Sequence, residues 1–210
     1  MSTYFSSDAD LLRAEIAAAA ARLIAEDGME YGAAKRKAVK QILGNNKIRG
    51  DVLPSNALIE EEVRQYQALF FADTQPARLQ HLRKLALQIM LQLAPFGPHL
   101  TGAVLNGTAG DHTDIRLHLF TDSAKDVEIY LLNKNIDFEV SESPHFNGHE
   151  DAVETLSFLW QHEGVHLTVY AVDDVRNHVR KPSSGKSERA NIDAVRALLA
   201  QQADPESDLT

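Results

Sequence analysis

Cysteine is absent from the chain, which excludes disulfides, a thiolate metal site and a cysteine nucleophile. That absence fits a reducing cytoplasm. Long apolar runs are lacking too, and nothing approaches the ~20 residues of a membrane-spanning helix. The run Ile16 to Ala21 is short, mostly alanine, and preceded by Asp8, Asp10, Arg13 and Glu15, unlike a secretory leader. A cytoplasmic location without membrane contact is therefore expected. Positive charge is in deficit, with 21 Lys and Arg against 30 Asp and Glu for a net charge of -9. That balance opposes broad, non-specific nucleic-acid binding. No internal repeat is found. What is present, 210 residues with 44% apolar and 24% charged content, describes an ordinary globular chain long enough for one large or two small domains.

Periodicity divides the chain in two. Up to Pro98 the apolar residues recur at helical spacing. Leu12, Ile16 and Leu23 precede Gly28, with Ser7 and Asp10 as a capping pair. A second helix is predicted from about Glu30 to Leu43, ended by Gly44-Asn45-Asn46, and a third opens at Ser55 or Asn56. A fourth starts at Asp73-Thr74-Gln75-Pro76 and carries Leu79, Leu82, Leu85, Ile89 and Leu93. From Leu100 the period becomes two. Strands are predicted at about 101–106, 114–120, 136–141, 153–160 and 165–172, with a helix opened by Ser123 and closed by Asn133-Lys134-Asn135. Gly164 reads as the hairpin turn between the last two strands, and residues 181–185 as a linker before a final helix through Ile192, Val195, Leu198 and Leu199. The expected fold class is α+β: a helical region over 1–97, a small mixed-sheet domain over 98–200, and a flexible tail over 201–210.

One stretch hints at chemistry. Val104-Leu105-Asn106-Gly107-Thr108 leads to Asp114-Ile115-Arg116-Leu117, read as an apolar strand, a glycine turn, then an acid opening a second strand. A glycine turn lets backbone amides approach phosphate. Carboxylates at i and i+2 of one strand share a face and suit hard divalent cations. Gly107-Thr108 followed by Asp114-Ile115 resembles the core signature of the DNA polymerase beta-like nucleotidyltransferase superfamily. In that family a Gly-Ser turn precedes an acid-apolar-acid strand, and a later strand brings a third acid. The resemblance covers roughly residues 100–172. Across Ala34-Lys35-Arg36-Lys37-Ala38, Leu93-Ala94-Pro95-Phe96 and Gly107-Thr108-Ala109 the chain also looks like uncharacterised bacterial proteins labelled nucleotidyltransferase. It implies a sheet domain of nucleotidyltransferase type, with Asp114 catalytic, Gly107, Thr108, Arg116 and His118 binding the ligand, and magnesium as cofactor if the chain is active.

The departures are specific. Thr108 keeps the hydroxyl of the usual serine. Arg116 stands where the second acid belongs, and the strand Val165-His166-Leu167-Thr168-Val169-Tyr170 has no carboxylate. A cation at Arg116 repels metals and suits an anion such as phosphate. The bland reading of Asp114, Arg116 and His118 is a solvated sheet face with Arg116 salt-bridged to Asp114. Asp111 or Glu139 is the alternative source of a second acid.

Other motifs fit less well. His162-Glu163-Gly164-Val165-His166 matches H-E-x-x-H, a zinc-protease pattern that works only on a helix. Here strand alternation and Gly164 favour a hairpin, so no tight zinc site is expected from His162, Glu163 and His166. Loop histidines His145 and His149 are the remaining neighbours such a cluster could recruit. Gly185-Lys186-Ser187 lacks the leading glycine of a phosphate-binding loop, Arg180 standing in its place, and reads as a linker ending in a helix cap at Ser187. Arg36, Lys37 and Lys40 line one helix flank, with Lys47 and Arg49 beyond. Their ordinary role is solvation, and the alternative is an RNA contact. The sequence thus points to a diverged nucleotidyltransferase-like protein that binds a nucleotide or another phosphate-bearing small molecule without a full set of catalytic acids. The alternatives are an active magnesium-dependent nucleotidyltransferase and a non-catalytic structural or partner-binding module.

Overall fold

Alanine-rich helices open the chain in the computed structural model, which describes residues 8–44, 52–145, 152–175 and 188–203. Lys47, Arg49, His149, Ser187 and the predicted linker at 181–185 lie outside the described residues, as does the tail beyond 203. The chain divides into two compact units, one of residues 1–76 with 110–112 and one of residues 77–109 with 113–210.

In the first unit α1 (Asp8–Asp27) buries Ile16, Ala17, Ala20 and Ala21, and α2 (Tyr31–Leu43) buries Ala34, Ala38 and Val39. These small side chains let backbones approach closely. They share a core with Ile59 and Val63 of α3 (Asn56–Phe70). The cap of α2 is Glu30, whose carboxylate accepts from the amides of Gly32 at 2.9 Å and Ala33 at 3.1 Å. Ser55 caps α3 by accepting from the Leu58 amide at 3.1 Å. On α2, Arg36, Lys37 and Lys40 are exposed. Lys35 donates to the Pro54 carbonyl, and Lys37 lies 3.8 Å from Asp27.

The second unit begins within α4 (Gln75–Gln92), whose stripe of Leu79, Leu82, Leu85, Ala86, Ile89 and Met90 is buried. The division thus falls near residue 76, and α4 belongs with the sheet. Among the described residues five strands form one mixed sheet: β1 (His99–Thr101), β2 (Ile115–Phe120), β3 (Glu139–Ser143), β4 (Val153–Trp160) and β5 (Glu163–Tyr170), in the order β1-β2-β5-β4-β3. Only the β2–β5 pair is parallel, and the chain between those strands holds α6 (Ala124–Asn133), β3 and β4. Alternation sends Ile115, Leu117, Leu119, Leu156, Val165 and Leu167 into one core with α4, with Val127 and Leu131 of α6, and with Val195 of α7 (Ile192–Ala203). No helix among the described residues is long and apolar enough to cross a membrane.

Three expectations need correcting. Residues 101–106 are not a strand. Pairing stops at Thr101, and α5 (Gly102–Asn106) follows, capped by Gly107 in the left-handed region at φ 91. Short apolar runs are ambiguous between strand and helix, and a tertiary contact decides this one. The buried Arg83 guanidinium donates to the carbonyls of Val104 and Leu105, each at 2.9 Å, which are end-of-helix carbonyls without intrahelical partners. Gly164 is not the hairpin turn. That turn is Gln161–His162, at φ 50 and φ 70, between paired Trp160 and Glu163, the two-residue geometry that matches strand twist. The final helix is capped by Asn191, whose side chain accepts from the Ala194 amide at 2.9 Å, and it runs on to Ala203 through the start of the predicted tail.

Candidate functional site

Since side chains alternate across a strand, the sheet face opposite the core is set by even-numbered positions of β2 and β5 and odd-numbered ones of β1, β3 and β4. The register aligns these into two transverse rows. The first runs Thr101, Arg116, His166, Ser157, Glu139 across β1, β2, β5, β4 and β3. The second runs His99, His118, Thr168, Thr155, Ser141 in the same strand order. Ten polar or titratable side chains thus share one sheet face.

Within the first row three groups are hydrogen-bonded in series. Ser157 Oγ lies 2.8 Å from His166 Nδ1, and His166 Nε2 lies 3.1 Å from Asp114 Oδ2. The directions follow from chemistry. An ionised carboxylate can only accept, so Nε2 carries the proton. In a neutral imidazole Nδ1 then accepts, and the Ser157 hydroxyl donates to it. Asp114 stands just before β2, with its side chain 46% exposed, and His166 is 28% exposed. The carboxylate occupies space above Gly164. A Cβ built there would lie 2.6 Å from Asp114 Cγ, closer than side chains tolerate. Gly164 thus leaves room for the Asp114 carboxylate beside His166 and is not the turn.

These groups line an open cavity of about 800 Å³, together with Asp137 and Glu139. That is within the usual range for a small-molecule site. Its apolar wall includes Ile136, Phe138, Phe158 and Leu159. Among the described residues no three histidine or carboxylate side chains converge tightly enough to hold a metal ion. Glu139, the alternative acid, faces the same cavity as Asp114, whereas Asp111 belongs to the first unit.

The sequence-predicted residues disperse around this centre. The Gly107–Thr108 turn does not line the cavity, and its donors are engaged within the turn. Both amides donate to the Ala103 carbonyl at 3.0 Å, and the Thr108 hydroxyl donates to Asn106 Oδ1 at 2.7 Å. Arg116 is exposed and makes no ion pair among the described residues. Its stem passes Gly102, where an added Cβ would lie 3.8 Å from Arg116 Cδ. The Asp114 carboxylate is with His166, so the Asp114–Arg116 salt bridge of the bland reading is not the arrangement found. His118 meets the rings of Tyr170 at 4.8 Å and Phe120 at 6.5 Å. Burial, and then the charges of Arg189 and His99, push its pKa down to about 4, so it is neutral near pH 7.

The H-E-x-x-H residues go to separate partners. His162 sits in the hairpin turn. Glu163 accepts two bonds from Arg78 and lies 3.2 Å from His81 Nε2. The Arg78 bonds hold its carboxyl below the usual range. His166 joins the Asp114 series. His145, the loop histidine, lies 3.2 Å from Asp174. Sequence reasoning missed Ser157 and Asp137, and met His166 only in an H-E-x-x-H pattern it set aside and in a strand without a carboxylate. The signal that could have found them was the polar alternation Thr155-x-Ser157 and His166-x-Thr168, which names a face without naming its neighbours. Compared with known protein families and with curated proteins, the chain matches none.

Proposed function

We propose that the sheet unit is of nucleotidyltransferase type and binds a nucleotide or another phosphate-bearing small molecule beside β2 and β5, without two-metal transfer. The observation that carries this reading is the parallel pairing of Arg116 with His166. The resemblance expects a second acid at residue 116 and a third on the strand of residues 165–170, and the side chains in this pair are a guanidinium and an imidazole. An exposed guanidinium without an ion pair among the described residues is suited to bidentate recognition of phosphate. The remaining carboxylate, Asp114, is bonded to His166, so it orients an imidazole and does not anchor a metal. The Gly107–Thr108 turn then serves the fold of α5, with its hydroxyl and amides already engaged.

Calorimetric titration with ATP in the presence and absence of magnesium tests this. Binding is expected without magnesium, and Arg116→Glu should weaken it by roughly 10-fold or more, since a charge-assisted contact contributes about 1.5–3 kcal/mol. Magnesium-dependent pyrophosphate release abolished by Asp114→Ala would instead establish the active alternative. No heat with ATP, ADP or inorganic phosphate would leave the non-catalytic module.

A further inference from the structure

We propose that Ser157 is a nucleophile activated by His166 and Asp114, and that the adjoining cavity takes a carboxylic ester with an apolar acyl group. This goes beyond phosphate binding and does not rest on it. The signature of an activated serine is a hydroxyl within hydrogen-bond reach of a base that a third group orients. The 2.8 Å and 3.1 Å contacts meet that requirement on both sides of His166. Imidazole accepts a proton at one nitrogen while the other is held, whichever nitrogen faces the hydroxyl.

Placement supports the assignment. Ser157 and His166 are direct cross-strand partners in the sheet, so rigid elements fix their separation. The missing Cβ of Gly164 leaves the space that the Asp114 carboxylate occupies beside His166. All three side chains border the same open cavity, where Leu159, exposed and two residues from Ser157 on the same face of β4, offers an apolar surface to an acyl chain. Asp137 and Glu139 on that lining disfavour an anionic substrate, so the ester is uncharged, whereas Arg116, which carries the phosphate reading, does not line this cavity.

The reaction balances without any other reagent. Ser157 Oγ attacks the carbonyl carbon and its proton passes to His166 Nδ1, while Asp114 holds the Nε2 proton of the imidazolium. The bond to the leaving oxygen then breaks, and that oxygen takes the proton from Nδ1 and departs as an alcohol. Water next attacks the acyl-serine and gives a proton to Nδ1. The serine oxygen recovers it as the carboxylic acid leaves.

The test treats the full chain with an alkyl fluorophosphonate, which phosphonylates an activated serine with loss of fluoride, and reads intact mass and peptide maps. One adduct per chain is expected on the peptide holding Ser157. It should be absent in Ser157→Ala and slower by about 100-fold or more in His166→Gln, the size of a general-base contribution. Hydrolysis of p-nitrophenyl butyrate should follow the same pattern. Because the chain has no cysteine, Ser157→Cys introduces a single thiol, whose alkylation by iodoacetamide should slow when His166→Gln is added. No adduct at Ser157, an adduct formed equally fast in His166→Gln or in urea, or a thiol indifferent to His166 would each overturn the proposal.

Discussion

Replacing Gly164 by alanine isolates the seat of Asp114. The added Cβ would lie 2.6 Å from Asp114 Cγ and 3.3 Å from Oδ2, so the carboxylate must leave and its bond to His166 is lost. A hydrogen bond to a charged group contributes about 1.5–3 kcal/mol. Asp114 is 46% exposed and regains water when displaced, which brings the cost to roughly 1–2 kcal/mol. Restricting the unfolded chain offsets about 0.4–1 kcal/mol of that. The net expectation is a destabilisation of about 1 kcal/mol, or ~2–4 °C in Tm for a chain of this size. A double-mutant cycle with Asp114→Ala gives a sharper readout, because the two sites are in contact. In the Asp114→Ala background the clash is gone, so Gly164→Ala should be neutral or slightly stabilising. Urea denaturation of the four proteins measures this change of sign. An equal cost in both backgrounds would refute the claim that Gly164 is there for Asp114.

Other expectations follow from neighbouring contacts. Glu163→Gln breaks the bidentate pair with Arg78, whose side chain is 20% exposed, and should cost about 1–3 kcal/mol at pH 7. Because that pair lowers the Glu163 pKa, its contribution is present above the usual carboxylate value and fades as pH falls through the folded one. The difference between the wild type and Glu163→Gln in acid denaturation checks this. His118, a base whose pKa is lowered, acts in the same direction. Unfolded it binds a proton below about 6.5, folded only below about 4, so stability falls by up to roughly 3 kcal/mol as pH drops through that window. His118→Phe should flatten this part of the pH–stability curve. The turn residues Gln161 and His162 both have positive φ, so Gln161→Asn with His162→Gly should stabilise the hairpin by roughly 1 kcal/mol in thermal melts.

The fold was legible wherever local chemistry coincided with tertiary context. Ser55 and Ser123 cap their helices as their residue type predicts, because a side-chain oxygen three residues before an unsatisfied amide acts locally. The strand at 153–160 has the predicted bounds for the same reason: its alternation is long enough to specify a buried face. Residues 102–106 were illegible because Ala103-Val104-Leu105 suits either conformation. What settles it, a buried Arg83 guanidinium at the α5 carbonyls, lies about twenty residues upstream, where nothing in the sequence marks its target. Gly164 misled for a related reason. A glycine beside a turn reads as the turn, whereas its function is to leave room for an atom of Asp114, fifty residues earlier.

The candidate site was less legible than the fold, because a row across a sheet depends on strand order and register. Periodicity placed Asp114, Arg116 and His118 on or beside one strand, and it correctly put Arg116 and His118 on one face. It could not reveal that β5, last in sequence among the strands, inserts between β2 and β4. That insertion brings His166 between Arg116 and Ser157. The motif that drew attention to His166 supplied the wrong chemistry, since H-E-x-x-H joins its residues only when one helical turn brings them together. On a strand the same letters separate. Glu163 goes to Arg78, His166 goes to Asp114 and Ser157, and the glycine that spoils the helix makes space for the carboxylate. The chemistry proposed for this chain thus resides in cross-strand neighbours. A substitution that shifted the β4–β5 register by one residue would move Ser157 and His166 to opposite faces and dismantle the site while leaving every motif in the sequence intact.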